Sequence, residues 1–101
     1  MIIYSETISL DRGIEQDWLQ WMKKVYIPQV METELFESNS MMKLLDPIVD
    51  DQMVTYNVQY ACLSMAILRK FEREHQSNFN NAHKSRYGNR FVSFQTILEK
   101  I

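Results

Sequence analysis

The chain has 101 residues, of which 46% are hydrophobic and 24% charged, and a formal net charge of −2. That length suits one domain, and the near-neutral balance lacks the basic footprint of a protein that binds nucleic acid or anionic lipid. No apolar run approaches the roughly 20 residues that span a bilayer, and the single cysteine, Cys62, leaves no internal disulfide or paired-cysteine metal site, so a cytoplasmic protein is expected.

Residues 2–10 alternate, with Ile2, Tyr4, Ile8 and Leu10 on one face and Ile3, Ser5, Thr7 and Ser9 on the other. The pattern predicts a strand and not a signal peptide. Asp11 is placed to cap a helix by accepting a backbone N–H of the first turn. Ile14, Trp18, Trp21, Met22 and Val25 come next at helical spacing as one broad apolar stripe. Pro28 has no N–H to give an interior turn, so this helix ends or kinks near Ile27. Val30 and Met31 extend the apolar contact in a short further turn.

Residues 36–45 predict a second strand, and residues 46–51 supply the turn after it. Residues 52–62 alternate more strongly than any other segment. Tyr56, Val58, Tyr60 and Cys62 form an apolar face, while Thr55, Asn57 and Gln59 form a face that is polar but uncharged. Ser64 caps a long second helix that runs to about residue 86, with its stripe on Leu68, Phe71, His75, Phe79 and Ala82. Gly88 is placed to supply the left-handed residue that stops it. In a last strand, residues 90–99, the alternation sets Val92, Phe94 and Leu98 toward the core and Phe91, Ser93, Gln95 and Ile97 opposite.

The order is β-α-β-β-α-β, the split arrangement of α+β ferredoxin-like folds, with both helices on one side of a four-stranded antiparallel sheet. The other sheet face then carries Ser5, Thr7, Ser9, Thr55, Asn57, Gln59, Ser93 and Gln95, with Ile3, Phe91 and Ile97 among them. A sheet face kept in water would normally be sown with Lys and Glu. Uncharged polar groups suit a surface that is partly desolvated and satisfied by hydrogen bonds. The expected partner is a second copy of the chain, sheet against sheet across a two-fold axis. Thr55, Asn57, Gln59, Ser93 and Gln95 are then candidate ligand-binding residues between the sheets.

Several stretches are familiar in combination. The opening Met1-Ile2-Ile3-Tyr4, the W-x-x-W-M followed by IP-x-V, the QY-x-C of β-type alternation, and the closing H-x-x-R-x-G-x-RFV-x-F-x-T-x-L resemble a bacterial domain-of-unknown-function family. That family is similar to the dimeric α+β barrel superfamily. The resemblance runs from Met1 to Leu98 and implies two ferredoxin-like protomers with their sheets face to face. It brings no established activity. Relatives carry a histidine where this chain has Tyr26, a departure that argues against catalysis at this position.

The superfamily includes cofactor-independent monooxygenases acting on aromatic polyketides, haem-degrading oxygenases, isomerases and small-molecule sensing domains, and a shared fold selects none of them. His75, between Phe71 and Phe79 on the stripe, is a candidate base or haem ligand; a packed boundary histidine is the favoured alternative. Haem-degrading relatives use an asparagine on the first strand, where this chain has Ser5 and Thr7, which counts against haem. His83 lies about 80° from His75 on an ideal helix, so the two do not converge on a metal ion. With Lys84 and Arg86 it is expected to form a solvated helix end, Arg86 or Arg90 being the candidate for an anionic ligand. Trp18 and Trp21 read as core, Met41 and Met42 as an adaptable surface or cavity wall, and Cys62 as a small buried hydrophobe.

Two classes of function remain. One is a non-enzymatic homodimer that binds a small ligand or a partner, without cofactor or metal. The other is a small cofactor-independent oxygenase or isomerase, with His75, Tyr56 or Tyr60 exchanging the proton. The open face, poor in titratable groups, favours the first.

Overall fold

The computed structural model describes all 101 residues. Four strands, β1 (Ile2–Asp11), β2 (Ser38–Lys43), β3 (Met53–Cys62) and β4 (Phe91–Glu99), form one sheet in the order β2-β3-β1-β4. Every neighbouring pair is antiparallel. Two helices cover one side: α1 over residues 15–32 and α2 over residues 65–87. This is the ferredoxin-like arrangement that the element order predicts.

Local chemistry accounts for the ends. The Asp11 carboxylate accepts the Gly13 N–H at 2.8 Å and opens the turn into α1. The Ser64 hydroxyl accepts the Ile67 N–H at 3.3 Å and starts α2. Gly88 closes α2 at φ 60°, ψ −128°, a conformation that a Cβ would make strained.

Each helix contains a wide π turn, Met22–Tyr26 in α1 and Glu72–Gln76 in α2. In α1 the Ile27 N–H reaches back to the Met22 carbonyl, five residues away, so Pro28 enters without breaking a regular α-helical ladder. The wide turn also rotates the rest of the helix about its axis. A side chain every fourth residue drifts by roughly 40° per step on an α-helix, and the π turn takes up that drift. The buried stripe of α1 is therefore Ile14, Trp18, Met22, Tyr26 and Val30. Val25, expected in the stripe, is exposed, and Tyr26 takes its place. In α2 the same effect exposes Ala82 and buries His83 and Tyr87.

The core lies between the helices and the sheet, where Ile8, Leu10, Val58, Tyr60 and Cys62 meet Trp18, Met22, Leu68 and Phe71. On β3 the two faces are as expected. On β4 they are reversed. Gln95 pairs with Glu6, Ser93 with Ile8 and Ile97 with Tyr4, which sets Ser93, Gln95, Ile97 and Phe91 on the helix side. Val92 and Phe94 stand on the open face, 65% and 59% exposed in the single chain, with Leu98 beside them. Both faces of β4 carry a phenylalanine, so alternation alone does not choose between them, and a one-residue shift exchanges every side chain. The choice is made by pairing with β1 and by Phe91, whose ring stacks on His83 with centroids 3.9 Å apart.

Candidate functional site

The open face is built around internal hydrogen bonds. The Asn57 amide donates to the Ser5 hydroxyl at 2.8 Å and to the Thr7 hydroxyl at 3.2 Å, across the β3–β1 pair. The Ser9 and Thr55 hydroxyls, also opposite one another, lie 2.8 Å apart. These groups satisfy one another, so covering them costs little desolvation. Around them stand exposed apolar side chains: Val92, Phe94 and Leu98 from β4 and Met42 from β2. At one end a groove of about 660 Å³ runs over Thr7, Ser9 and Thr55, walled by Val92 and Phe94 and by Leu45 and Ile48 of the β2–β3 loop. Arg12 and Lys43 reach its rim. Of the ligand-binding candidates, Thr55, Asn57 and Gln59 share this face, while Ser93 and Gln95 are on the other side of the sheet.

The helix side holds a cluster absent from the candidates named on sequence grounds. Glu6 is 2% exposed at the centre of the sheet, between Val58 and Gln95 in its cross-strand row. Burial pushes its carboxyl up to about 7, with hydrogen bonds from Gln95 and Tyr26 offsetting part of the rise. The Tyr26 hydroxyl donates to Glu6 Oε1 at 3.3 Å. Tyr4 and Tyr60 flank the carboxyl, and burial together with its charge raises both phenols well above their ordinary range. The Tyr60 hydroxyl is buried and has no hydrogen-bond partner. A signal was present in the sequence: Glu6 interrupts an otherwise apolar row between Tyr4 and Ile8.

His83, expected at a solvated helix end, is 3% exposed and packed against Trp21, Tyr26, Tyr87 and Phe91. Its Nε2 accepts the Trp18 indole N–H at 2.9 Å, and desolvation pushes its pKa down to about 4. His75 is half-buried, its ring 5.9 Å from that of Phe71. Arg86 is occupied within the protein: it donates to the Tyr87 hydroxyl at 3.0 Å, pairs with Asp17 at 3.4 Å and lies over the Trp21 ring. Arg90 pairs with Asp11. The Tyr56 hydroxyl donates to Glu15 Oε2 at 2.6 Å, a carboxylate that Lys43 also holds at 2.9 Å. No three His, Cys, Asp or Glu side chains gather as metal ligands, and no helix is long and apolar enough to cross a membrane.

A four-stranded antiparallel sheet covered on one side by two helices, with an uncharged and partly apolar open face, defines a ferredoxin-like α+β protein. The chain belongs to the family described as a domain of unknown function, DUF4286, whose profile matches residues 1–101. No curated protein matches it. In fold it is similar to a dimeric ferredoxin-like protein from an uncultured marine organism, at 8% identity and TM-score 0.72 over 100% of this chain and 95% of that one. It is likewise similar to SnoaB, a cofactor-independent oxygenase from Streptomyces nogalater, at 9% identity and TM-score 0.64 over 98% and 92% of the two chains. A third similar structure is an ethyl tert-butyl ether D (EthD) family protein from Bacillus halodurans, at 8% identity and TM-score 0.68 over the whole of both chains.

Proposed function

We propose that two copies of this chain join through their open sheet faces as a one-domain, non-enzymatic module that holds a small ligand or a partner between the sheets. The observation that carries the reading is the open face itself. Its polar groups are paired with one another through Asn57 and through Ser9 with Thr55, and its rim exposes Val92, Phe94 and Leu98. Such a face loses little and gains apolar burial when a second copy covers it. The likeness in fold to a dimeric ferredoxin-like protein supports the same arrangement. With a second sheet above it, the groove over Thr7, Ser9 and Thr55 becomes an enclosed cavity of the size that small ligands occupy. Native mass spectrometry of the purified protein tests both parts, since it reports dimer mass and any retained ligand together. A monomer at micromolar concentration ends the proposal.

A second reading rests on the Glu6 cluster. A buried carboxyl poised near neutrality beside Tyr60 and Tyr26 suits proton transfer in a cofactor-independent oxygenase or isomerase acting on a small aromatic or polyketide-like substrate. The likeness in fold to SnoaB supports this alternative. Of the proton-transfer candidates named from the sequence, Tyr60 stands in this cluster and His75 does not. Turnover of such a substrate by the wild type, lost in Glu6→Gln, is the result that favours it over the first reading.

A further inference from the structure

We propose that the groove between α2 and β4 binds a small hydroxylated monocarboxylate, whose carboxylate is held by the Nδ1–H of His83 and the ammonium of Lys84. This groove is on the helix side of the sheet, away from the open face, so the proposal depends on neither reading above.

The observation that carries it is a donor without a partner. His83 is 3% exposed. Its Nε2 accepts the Trp18 indole N–H, which leaves the ring proton on Nδ1, and no group of the chain accepts that proton. A buried N–H in that state is rare. The Tyr60 hydroxyl is the only side-chain polar atom both sealed from solvent and unpaired, so Nδ1 is not sealed: it opens into the groove that His83 lines. The ring cannot turn away, because Trp18 holds its other nitrogen at 2.9 Å and Phe91 stacks on its face with centroids 3.9 Å apart. The donor is therefore fixed in place before any ligand arrives.

The rest of the groove selects the ligand. It has a volume of about 440 Å³, its polar walls include Asn80, Lys84, Asn89 and Ser93, and no carboxylate side chain lines it. Lys84 makes no ion pair within the chain. One free ammonium beside one imidazole N–H matches a single carboxylate, with an oxygen for each donor. A second carboxylate would lie there without a counter-charge. The Lys84 and Tyr87 carbonyls of the last helical turn are already taken by the Gly88 and Arg90 N–H groups, which leaves side chains to set the chemistry. Asn80, Asn89 and Ser93 each bring both a donor and an acceptor, the complement of hydroxyl groups, and a purely apolar ligand body would leave them unpaired.

The probe is glycerate, which carries one carboxylate and two hydroxyls, titrated into the isotopically labelled full chain near neutral pH. The Trp18 indole N–H and the His83 Nδ1 signals are followed by NMR. Saturable movement of both is expected, since the ligand touches one nitrogen of the ring and Trp18 the other. Lys84→Gln removes a charge from an exposed position and is expected to weaken binding by about tenfold or more, the size of one charged hydrogen bond. Propionate, with the same charge and no hydroxyls, should bind several-fold more weakly, and glycerol, with no charge, should leave both signals in place. No saturable movement with glycerate overturns the proposal, as does unchanged affinity in Lys84→Gln. Propionate binding as tightly as glycerate overturns the hydroxylated class, and inorganic phosphate binding more tightly overturns the carboxylate. Asn57→Glu, on the open face, should leave the affinity unchanged; loss of binding there would assign the signal to the dimer and overturn the site.

Discussion

Trp18 of α1 and His83 of α2, 65 positions apart, share a buried hydrogen bond in which the indole N–H donates to Nε2 at 2.9 Å. The acceptor role fixes the ring proton on Nδ1 and keeps the imidazole neutral. The same contact orients the two helices on the sheet, since Trp18 also packs on Tyr56 of β3 and His83 on Phe91 of β4.

Trp18 is fully buried, and its loss removes both volume and this hydrogen bond. Trp18→Ala is expected to destabilise by about 3–5 kcal/mol. Urea denaturation within a kilocalorie or so of the parent would show that the indole contributes little. Phe94, expected in the core, is on the open face, so Phe94→Ala should leave the single chain's stability nearly unchanged and weaken self-association instead.

Glu6 and His83 make opposite contributions to stability as pH changes. The His83 pKa falls from 6.5 to about 4 on folding; the unfolded chain takes up the proton first, so this contribution is present above 6.5 and is lost as pH falls toward 4. The Glu6 pKa rises from 4.5 to about 7, so its contribution is full below 4.5 and is lost as pH rises toward 7. Each is on the order of 3 kcal/mol, and across pH 4.5–6.5 their slopes oppose. Glu6→Gln should unmask a stability that climbs with pH over this range, and His83→Gln one that declines. Thermal melts of both variants at several pH values check the signs; parallel curves would remove the buried-charge account.

Two tyrosines on the same face of β3 should respond differently to loss of the hydroxyl. Tyr56 donates to Glu15, and Tyr56→Phe is expected to cost about 1 kcal/mol. The Tyr60 hydroxyl has no partner, so Tyr60→Phe should be neutral or stabilising. Denaturation midpoints of the two variants, measured side by side, decide it.

On the open face, Asn57→Glu removes the amide that joins Ser5 and Thr7 and sets like charges against one another across the proposed two-fold axis. Sedimentation velocity should show the dimer shifted toward monomer. Dimers as tight as those of the parent would move the interface elsewhere.

Gly88→Ala tests the helix stop. No atom lies within 4 Å of the added Cβ, so any cost is that of the backbone held at φ 60°, expected at about 1–3 kcal/mol. An unchanged melting temperature would mean that the turn relaxes freely.

Much of this protein was legible in its residues. The alternation of β3 divided its faces, because a strand with one purely apolar and one purely polar side has a single sensible orientation. Asp11, Ser64 and Gly88 marked helix ends because their chemistry acts on the nearest backbone groups, and the element order then led to the ferredoxin-like arrangement. The tertiary structure decided what local pattern leaves degenerate. β4 has apolar residues on both faces, and only pairing with β1 and stacking of Phe91 on His83 chose which side met the helices. The π turns moved Tyr26 and His83 into the core in place of Val25 and Ala82. Glu6 stayed hidden because a charged residue in an apolar row is expected to escape to solvent; at the centre of the sheet, with a strand on either side and Tyr26 above it, there is no solvent within reach.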